Sequence, residues 1–129
     1  MKKPITLTYW EGYLSMFTFL EKTIEKNNRK KSLEKLLKNM DPDALVNQNL
    51  PEKTMLLDWL KVIKTDDFLK EEVDVEECYR CMIAYIVLEE KKGGFHFNRF
   101  IQSLVKAYSN RKNNQLWMLW IDSCMLAKV

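Results

Sequence analysis

Apolar residues recur at helical spacing from the beginning of the chain. In the first segment they stand three or four residues apart, at Trp10, Tyr13, Leu14, Phe17, Leu20 and Ile24. This spacing places them on one face of an α-helix. Thr8 and Glu11 form a capping-box pair at its start, in which each side chain bonds the backbone N–H of the other residue. The pattern predicts a helix that begins near Thr8 and ends at Asn27 and Asn28.

Four later segments carry the same spacing over the length of a helix, at positions 56–63, 78–88, 97–108 and 117–124. Residues that commonly cap or end helices separate these segments. The predicted boundaries are a capping box at Asp74 and Glu77, a glycine end at Gly93 and Gly94, and a cap at Asn113 or Asn114.

Shorter helical patterns lie between the long ones. Ser32 is a candidate cap for a short helix through Met40. Asp41 followed by Pro42 is a typical helix start, and it predicts a further short turn. Phe68 and Leu69 predict another.

These patterns predict an all-α fold, an irregular or orthogonal bundle of about five main helices with one or two short helical turns. No segment alternates with a period of two, and no repeat of fixed length is evident. Only three glycines and three prolines occur, which argues against a turn-rich β fold. A length of 129 residues is typical of one domain, so we expect residues 1–129 to form a single helical unit.

Composition places the chain among ordinary globular proteins, with 47% apolar and 30% charged residues. Three cysteines cannot close a full set of disulfides, which favours a reducing compartment. Glu11 interrupts the region where a signal peptide would be apolar, and the longest apolar run, from Cys81 to Leu88, is too short for a membrane span. We therefore expect a cytoplasmic protein.

Charge is segregated along the chain although its sum is only +3. Residues 1–40 carry +5, residues 41–77 carry −7 and residues 78–129 carry +5. The acidic stretch consists of Asp66, Asp67, Glu71, Glu72, Asp74, Glu76 and Glu77. It is either a solvated face whose carboxylates partly cap helices, or a docking surface for a basic partner.

A basic region between Arg29 and Lys38 is the counterpart of the acidic stretch. It is either a solubilising connector or a site that contacts nucleic-acid phosphates. Proteins that bind single-stranded nucleic acid commonly place aromatic residues among the basic ones, so that bases can stack on them. No aromatic residue lies within this basic run. Lysine also outnumbers arginine in the chain, which weakens the nucleic-acid interpretation.

Motifs for catalysis or metal binding are weak. Cys78 and Cys81 are spaced as in many zinc sites, and His96 and Cys124 would complete four ligands, but the overall spacing matches no familiar zinc pattern. His96 is the only histidine, and no phosphate-binding loop or nucleophile elbow is present. We therefore predict no catalytic site, no metal and no cofactor.

The sequence favours a small protein-binding module over the other classes. Our hypothesis is a bacterial inhibitor or immunity-type protein that occludes a cognate toxin or effector, with the acidic stretch facing a basic, nuclease-like partner. The alternative is a nucleic-acid-associated regulator that uses the region from Arg29 to Lys38. The four tryptophans lie on or beside apolar stripes, so we expect them in the core.

Overall fold

The fold was analysed in a computed structural model, which describes residues 6–27, 31–40, 53–63, 72–93 and 97–128. These residues form six α-helices, one 3-10 turn and one pair of short strands, so the predicted all-α fold is confirmed. In chain order the elements are β1 (Thr6–Thr8), α1 (Tyr9–Asn27), α2 (Lys31–Met40), α3 (Lys53–Ile63), β2 (Glu72–Asp74), α4 (Val75–Gly93), α5 (Asn98–Ser109), the 3-10 turn (Arg111–Asn113) and α6 (Gln115–Ala127).

The predicted capping box at the start of α1 is confirmed in both directions. The Thr8 N–H donates to Glu11 Oε1 at 2.9 Å, and the Glu11 N–H donates to Thr8 Oγ1 at 3.1 Å. Asn114 caps α6 by accepting the backbone N–H groups of Leu116 and Trp117. These bonds satisfy donors that have no partner within the helix.

Two predicted features of the short helices have different outcomes. α2 begins at Lys31, so Ser32 lies within its first turn and not before it, and the prediction of Ser32 as the cap was wrong. The turns predicted at Asp41–Pro42 and at Phe68 and Leu69 lie outside the described residues.

The strands are the element that the sequence pattern missed. β1 and β2 are antiparallel, with Leu7 opposite Val73 at the centre of the register. Each strand has only three residues and leads directly into a long helix, so neither is long enough to show an alternating pattern. Both central residues are buried and join the core.

The described elements divide into two units of the same design. Each unit has a three-residue strand, a helix of 19 residues and two further helices: β1, α1, α2 and α3 in the first unit, and β2, α4, α5 and α6 in the second. The strands and long helices are offset by 66 residues, and the strand register is symmetric about the Leu7–Val73 pair. The units are therefore related by an approximate two-fold axis through that pair.

Two pairs of long-range hydrogen bonds repeat between the units. Trp59 on α3 donates its indole N–H to the carbonyl of Tyr9, the first residue of α1, at 2.8 Å. Trp120 on α6 donates in the same way to Val75, the first residue of α4, at 2.9 Å.

Two equivalent tyrosines provide the second pair. The Tyr13 hydroxyl donates to the Met40 carbonyl on α2 at 2.7 Å, and the Tyr79 hydroxyl donates to the Leu104 carbonyl on α5 at 2.6 Å. Equivalent side chains thus make equivalent bonds.

The third helix of each unit also packs against the long helix of the other unit. Trp120 meets Phe19 of α1 edge to face, with ring centroids 5.7 Å apart, and Trp59 meets Tyr85 of α4 in the same way at 5.8 Å. We call these two contacts the α1–α6 seam and the α3–α4 seam. The α1–α6 seam is the more extensive of the two.

Gly12 allows the two long helices to approach each other beside the axis. A Cβ atom at this position would lie 3.0 Å from Cys78 Sγ and 3.0 Å from Trp59 Cζ2. Cys78 is the residue equivalent to Gly12 in the second unit, so the small residue in one unit accommodates the larger one in the other.

Candidate functional site

The structure separates the predicted acidic stretch into residues with different surroundings. Glu72 and Glu76 are exposed, and Arg111 Nε lies 3.7 Å from Glu76 Oε1. Asp74 accepts the backbone N–H of Glu77 at 2.7 Å and so caps α4, as the pattern predicted. Glu77 is half-buried.

The other three members of the stretch, Asp66, Asp67 and Glu71, lie outside the described residues. Among the four that are described, two carboxylates therefore extend into solvent.

The outer face of α6 exposes large apolar side chains. Met118 is 60% exposed, Met125 50% and Leu126 53%, and Asp122 lies on the same face of the helix. The spacing of seven residues between the methionines places them one above the other. Met118, Asp122 and Met125 have the spacing of one helix face, but the sequence alone did not mark this face as exposed.

The C-terminal end of α6 lies beside the strand pair. Lys128 Nζ donates to the Thr6 carbonyl at 2.8 Å and lies 3.6 Å from Glu11 Oε1. Thr6 pairs with Asp74 in the strand register, and the exposed Glu72 lies two residues before Asp74. Lys128 therefore connects the end of α6 to β1 and to the first turn of α1.

The basic region is described only in part. Arg29 and Lys30 lie outside the described residues, whereas Lys35 and Lys38 are exposed on α2. In the part of α2 that the structure describes, these two lysines are the evidence for a phosphate-binding site, and no other feature adds to it.

The three cysteines are placed as core residues. Cys78 and Cys124 are buried, Cys81 is half-buried, and none forms a disulfide. Burial raises the pKa of the Cys78 thiol well above its usual value, and nearby Cys124 and Cys81 raise it further. Burial likewise raises the pKa of Cys124 to about 12, against a hydrogen bond with Ser15 that lowers it.

Such thiols remain protonated at neutral pH, whereas metal binding and nucleophilic attack both need the thiolate. His96, the fourth candidate ligand, lies outside the described residues. Within the described ranges no three His, Cys, Asp or Glu side chains are grouped so that they could hold a metal ion.

The α3–α4 seam contains a buried pair of carboxyl groups, Asp58 on α3 and Glu89 on α4. They are 4% and 5% exposed and are hydrogen-bonded to each other. Lys92, half-exposed on α4, places its Nζ 2.7 Å from Asp58 Oδ2. Glu89 Oε2 is fully buried, and no donor among the described residues reaches it.

The pKa values of the two carboxyl groups shift in opposite directions. Burial raises the pKa of Glu89 to about 7, and the hydrogen bond and negative charge of Asp58 act in the same direction. Burial also acts to raise the pKa of Asp58, but the hydrogen bonds with Glu89 and Lys92 outweigh it and the net shift is downward. One proton is therefore shared, with Glu89 as the group that holds it.

This carboxyl pair was not predicted from the sequence. The sequence carried a signal, because Glu89 follows Met82 and Ile86 on the buried stripe of α4. The charged residues that follow it made the position resemble an exposed helix end.

Two of the four tryptophans, Trp59 and Trp120, are fully buried, as expected. Trp10 and Trp117 are partly buried against the core. Arg111 stacks on Tyr108, with its guanidinium carbon 4.3 Å from the ring centroid, and donates to the Tyr108 carbonyl. The Arg111 side chain is thus held in place by contacts within the protein.

None of the described helices combines the length and the apolar character that crossing a membrane requires. Comparison of the chain with models of known protein families, with curated protein sequences and with solved structures found no match.

Proposed function

We propose that the protein is a protein-binding module that acts by occlusion, as an inhibitor or immunity-type protein does. The observation that carries this proposal is the outer face of α6, where Met118, Met125 and Leu126 are at least half exposed although the core is filled without them. Apolar side chains exposed together commonly mark protein contact sites. Methionine suits such a site because its flexible side chain adapts to the partner's shape.

Charge supports a basic partner. Asp122 lies within the apolar face, and Glu72 and Glu76 are exposed on β2 and at the start of α4. Acidic groups around an apolar centre attract a basic protein during encounter and reject acidic ones. The partner would therefore present apolar residues bordered by Lys or Arg.

The internal structure also suits occlusion. Trp59 and Trp120 each tie a third helix to two other helices through one hydrogen bond and at least one ring contact. A surface that is already ordered loses little conformational entropy when it binds.

The test begins with affinity purification of the tagged protein from its own cells, to recover a bound partner. The binding kinetics of the purified pair are then measured. Replacing Met118 and Met125 by Ser should weaken affinity by about tenfold or more, because interface energy concentrates in a few apolar contacts. Replacing Glu72 and Glu76 by Lys should instead lower the association rate and its dependence on salt.

Val105→Ser is the matched control, since Val105 is exposed to a similar extent on α5. It should bind as the wild type does. Unchanged binding by the methionine variant would contradict the proposal. Recovery of nucleic acid that high salt releases, with no protein partner, would favour the alternative that uses the basic region from Arg29 to Lys38.

A further inference from the structure

The two seams give an internal test of what the fold requires. The positions equivalent to Asp58 and Glu89 in the other unit are Leu119 and Thr23, at the same offsets that relate the tryptophans and the long helices. Leu119 and Thr23 are buried as well, and the Thr23 hydroxyl donates to the carbonyl of Phe19 within its own helix. The equivalent positions of the α1–α6 seam therefore hold no carboxyl group, and packing of this framework does not require the carboxyl pair of the α3–α4 seam.

The charges around the carboxyl pair do not balance when both groups are ionised. Lys92 is the cation in contact with Asp58, and it is half-exposed. Lys61 on α3 contributes a weaker attraction to Asp58. Neither lysine donates to Glu89 Oε2, which is buried and has no donor among the described residues.

Among the described residues, the other titratable groups near the pair are tyrosines. Tyr85 on α4 lies near both carboxyl groups, and Tyr13 on α1 lies near Tyr85. Burial raises the pKa of Tyr85, and the neighbouring Tyr13, Glu89 and Asp58 raise it further, so it stays neutral. Nothing in this group gains positive charge as Glu89 loses its proton.

We propose that the α3–α4 seam is a proton-controlled latch, closed while Asp58 and Glu89 share one proton and loosened when both are ionised. Loss of the proton to solvent leaves two adjacent buried carboxylates beside the half-exposed ammonium group of Lys92, with Lys61 as a weaker source of attraction to Asp58. Burying like charges together is costly, and the cost is relieved when water reaches them. α3 is the element that yields, because it packs less extensively on α4 than α6 packs on α1.

The latch goes beyond the proposed binding function and does not depend on it. It can be tested by measuring backbone hydrogen exchange of the whole protein between about pH 6 and about pH 8.5, corrected for the intrinsic exchange rate. Protection of the α3 amides should fall by about tenfold across this range, while protection in α6 stays constant. α6 is the internal control, since its seam holds Leu119 and Thr23 in the equivalent places.

Glu89→Gln is the decisive variant. A glutamine amide donates to Asp58 as the protonated carboxyl does, but it cannot ionise. Protection of α3 should then stay constant with pH. Glu21→Gln, which removes an exposed carboxylate from α1, should behave as the wild type does.

Equal loss of protection in α3 and α6, or a pH effect that persists in Glu89→Gln, would overturn the latch. If that variant does not fold, carboxyl carbon shifts of the wild type decide the question. A Glu89 resonance that titrates near 7, with Asp58 ionised throughout, supports the latch, and one that titrates at its ordinary value of 4.5 overturns it.

Discussion

The α1–α6 seam and the α3–α4 seam occupy equivalent places but differ in chemistry. Both contain a tryptophan that meets an aromatic ring of the opposite long helix, at 5.7 Å and 5.8 Å between centroids. The first seam then continues with Leu119 and Thr23, and the second with Asp58 and Glu89. The tryptophan contact is thus common to both seams and belongs to the shared framework. The pair of buried carboxyl groups is present at these positions in only one of the two seams.

The difference also bears on how firmly each third helix is held. Apolar burial stabilises at any pH, whereas a buried carboxyl pair stabilises only in the right protonation state. We therefore expect the packing of α6 to be independent of pH and the packing of α3 to weaken when the carboxyl pair loses its proton. This conclusion is independent of which partner the protein binds.

The largest effect should come from removing the tryptophans. Trp59→Ala and Trp120→Ala should each lower the free energy of unfolding by about 3–5 kcal/mol, since each removes a buried ring and one hydrogen bond. Trp120→Ala should cost more, because its ring also contacts Tyr79 at 5.7 Å and lies in the more extensive seam. Urea unfolding followed by circular dichroism measures both.

Met118→Ala serves as the control for the tryptophan variants, because an exposed side chain should change stability by no more than about 0.5 kcal/mol. A loss below about 1 kcal/mol for Trp59→Ala would show that the ring does not hold α3 in place.

A smaller effect should distinguish the two equivalent tyrosines. Tyr13→Phe removes the hydroxyl that donates to Met40, the last residue of α2, whose carbonyl lies beyond the hydrogen bonds within that helix. Tyr79→Phe removes the donor to Leu104, which lies inside α5, where carbonyls also accept helical bonds. The first substitution should cost about 1–3 kcal/mol and the second about 0.5–1.5 kcal/mol.

Denaturant unfolding of the two phenylalanine variants gives this difference directly. A larger cost at Tyr79 than at Tyr13 would contradict the expectation that the carbonyl at the end of α2 depends more on its hydroxyl donor than the carbonyl inside α5 does.

Helical spacing was enough to predict most of the architecture. The capping residues Thr8, Glu11, Asp74 and Asn114 were found because caps depend on local sequence, and the structure places each as a cap. The core tryptophans were found because they fall on apolar stripes. These features need only neighbours within one turn of helix.

The repetition of one unit by the other was not predicted, because the two units share their helix arrangement more than their residue types. At the offset of 66 residues the two long helices share few identical residues, among them Tyr13 with Tyr79 and Met16 with Met82. The shared contacts are long-range bonds to backbone carbonyls, which any residue can supply. A sequence comparison by residue type therefore does not reveal them.

The carboxyl pair was missed for a related reason. Residue type predicts that Leu57 is buried and that its neighbour Asp58 is exposed. The structure shows the reverse, since Leu57 is 55% exposed and Asp58 is buried. Whether a carboxylate on a helix faces solvent or a second carboxylate depends on which helices meet. That information lies in the tertiary contact between α3 and α4 and not in either segment alone.

The most direct test of the account is the free energy of unfolding as a function of pH, for the wild type and for the double variant Asp58→Leu/Glu89→Thr. The variant gives the α3–α4 seam the residues of its counterpart. Because the pKa of Glu89 is raised from 4.5 to about 7 on folding, the native state holds the proton more tightly than the unfolded chain does. Wild-type stability should therefore fall as pH rises from about 5 to about 7 and level off above, by up to about 3 kcal/mol.

The double variant should lose most of this dependence and should be more stable than the wild type near pH 8. Any slope it keeps belongs to other groups and is subtracted from the wild-type curve. A wild-type curve that is flat or rises over this range, or that runs parallel to the curve of the variant, would contradict the claim that one seam of this protein is controlled by a proton.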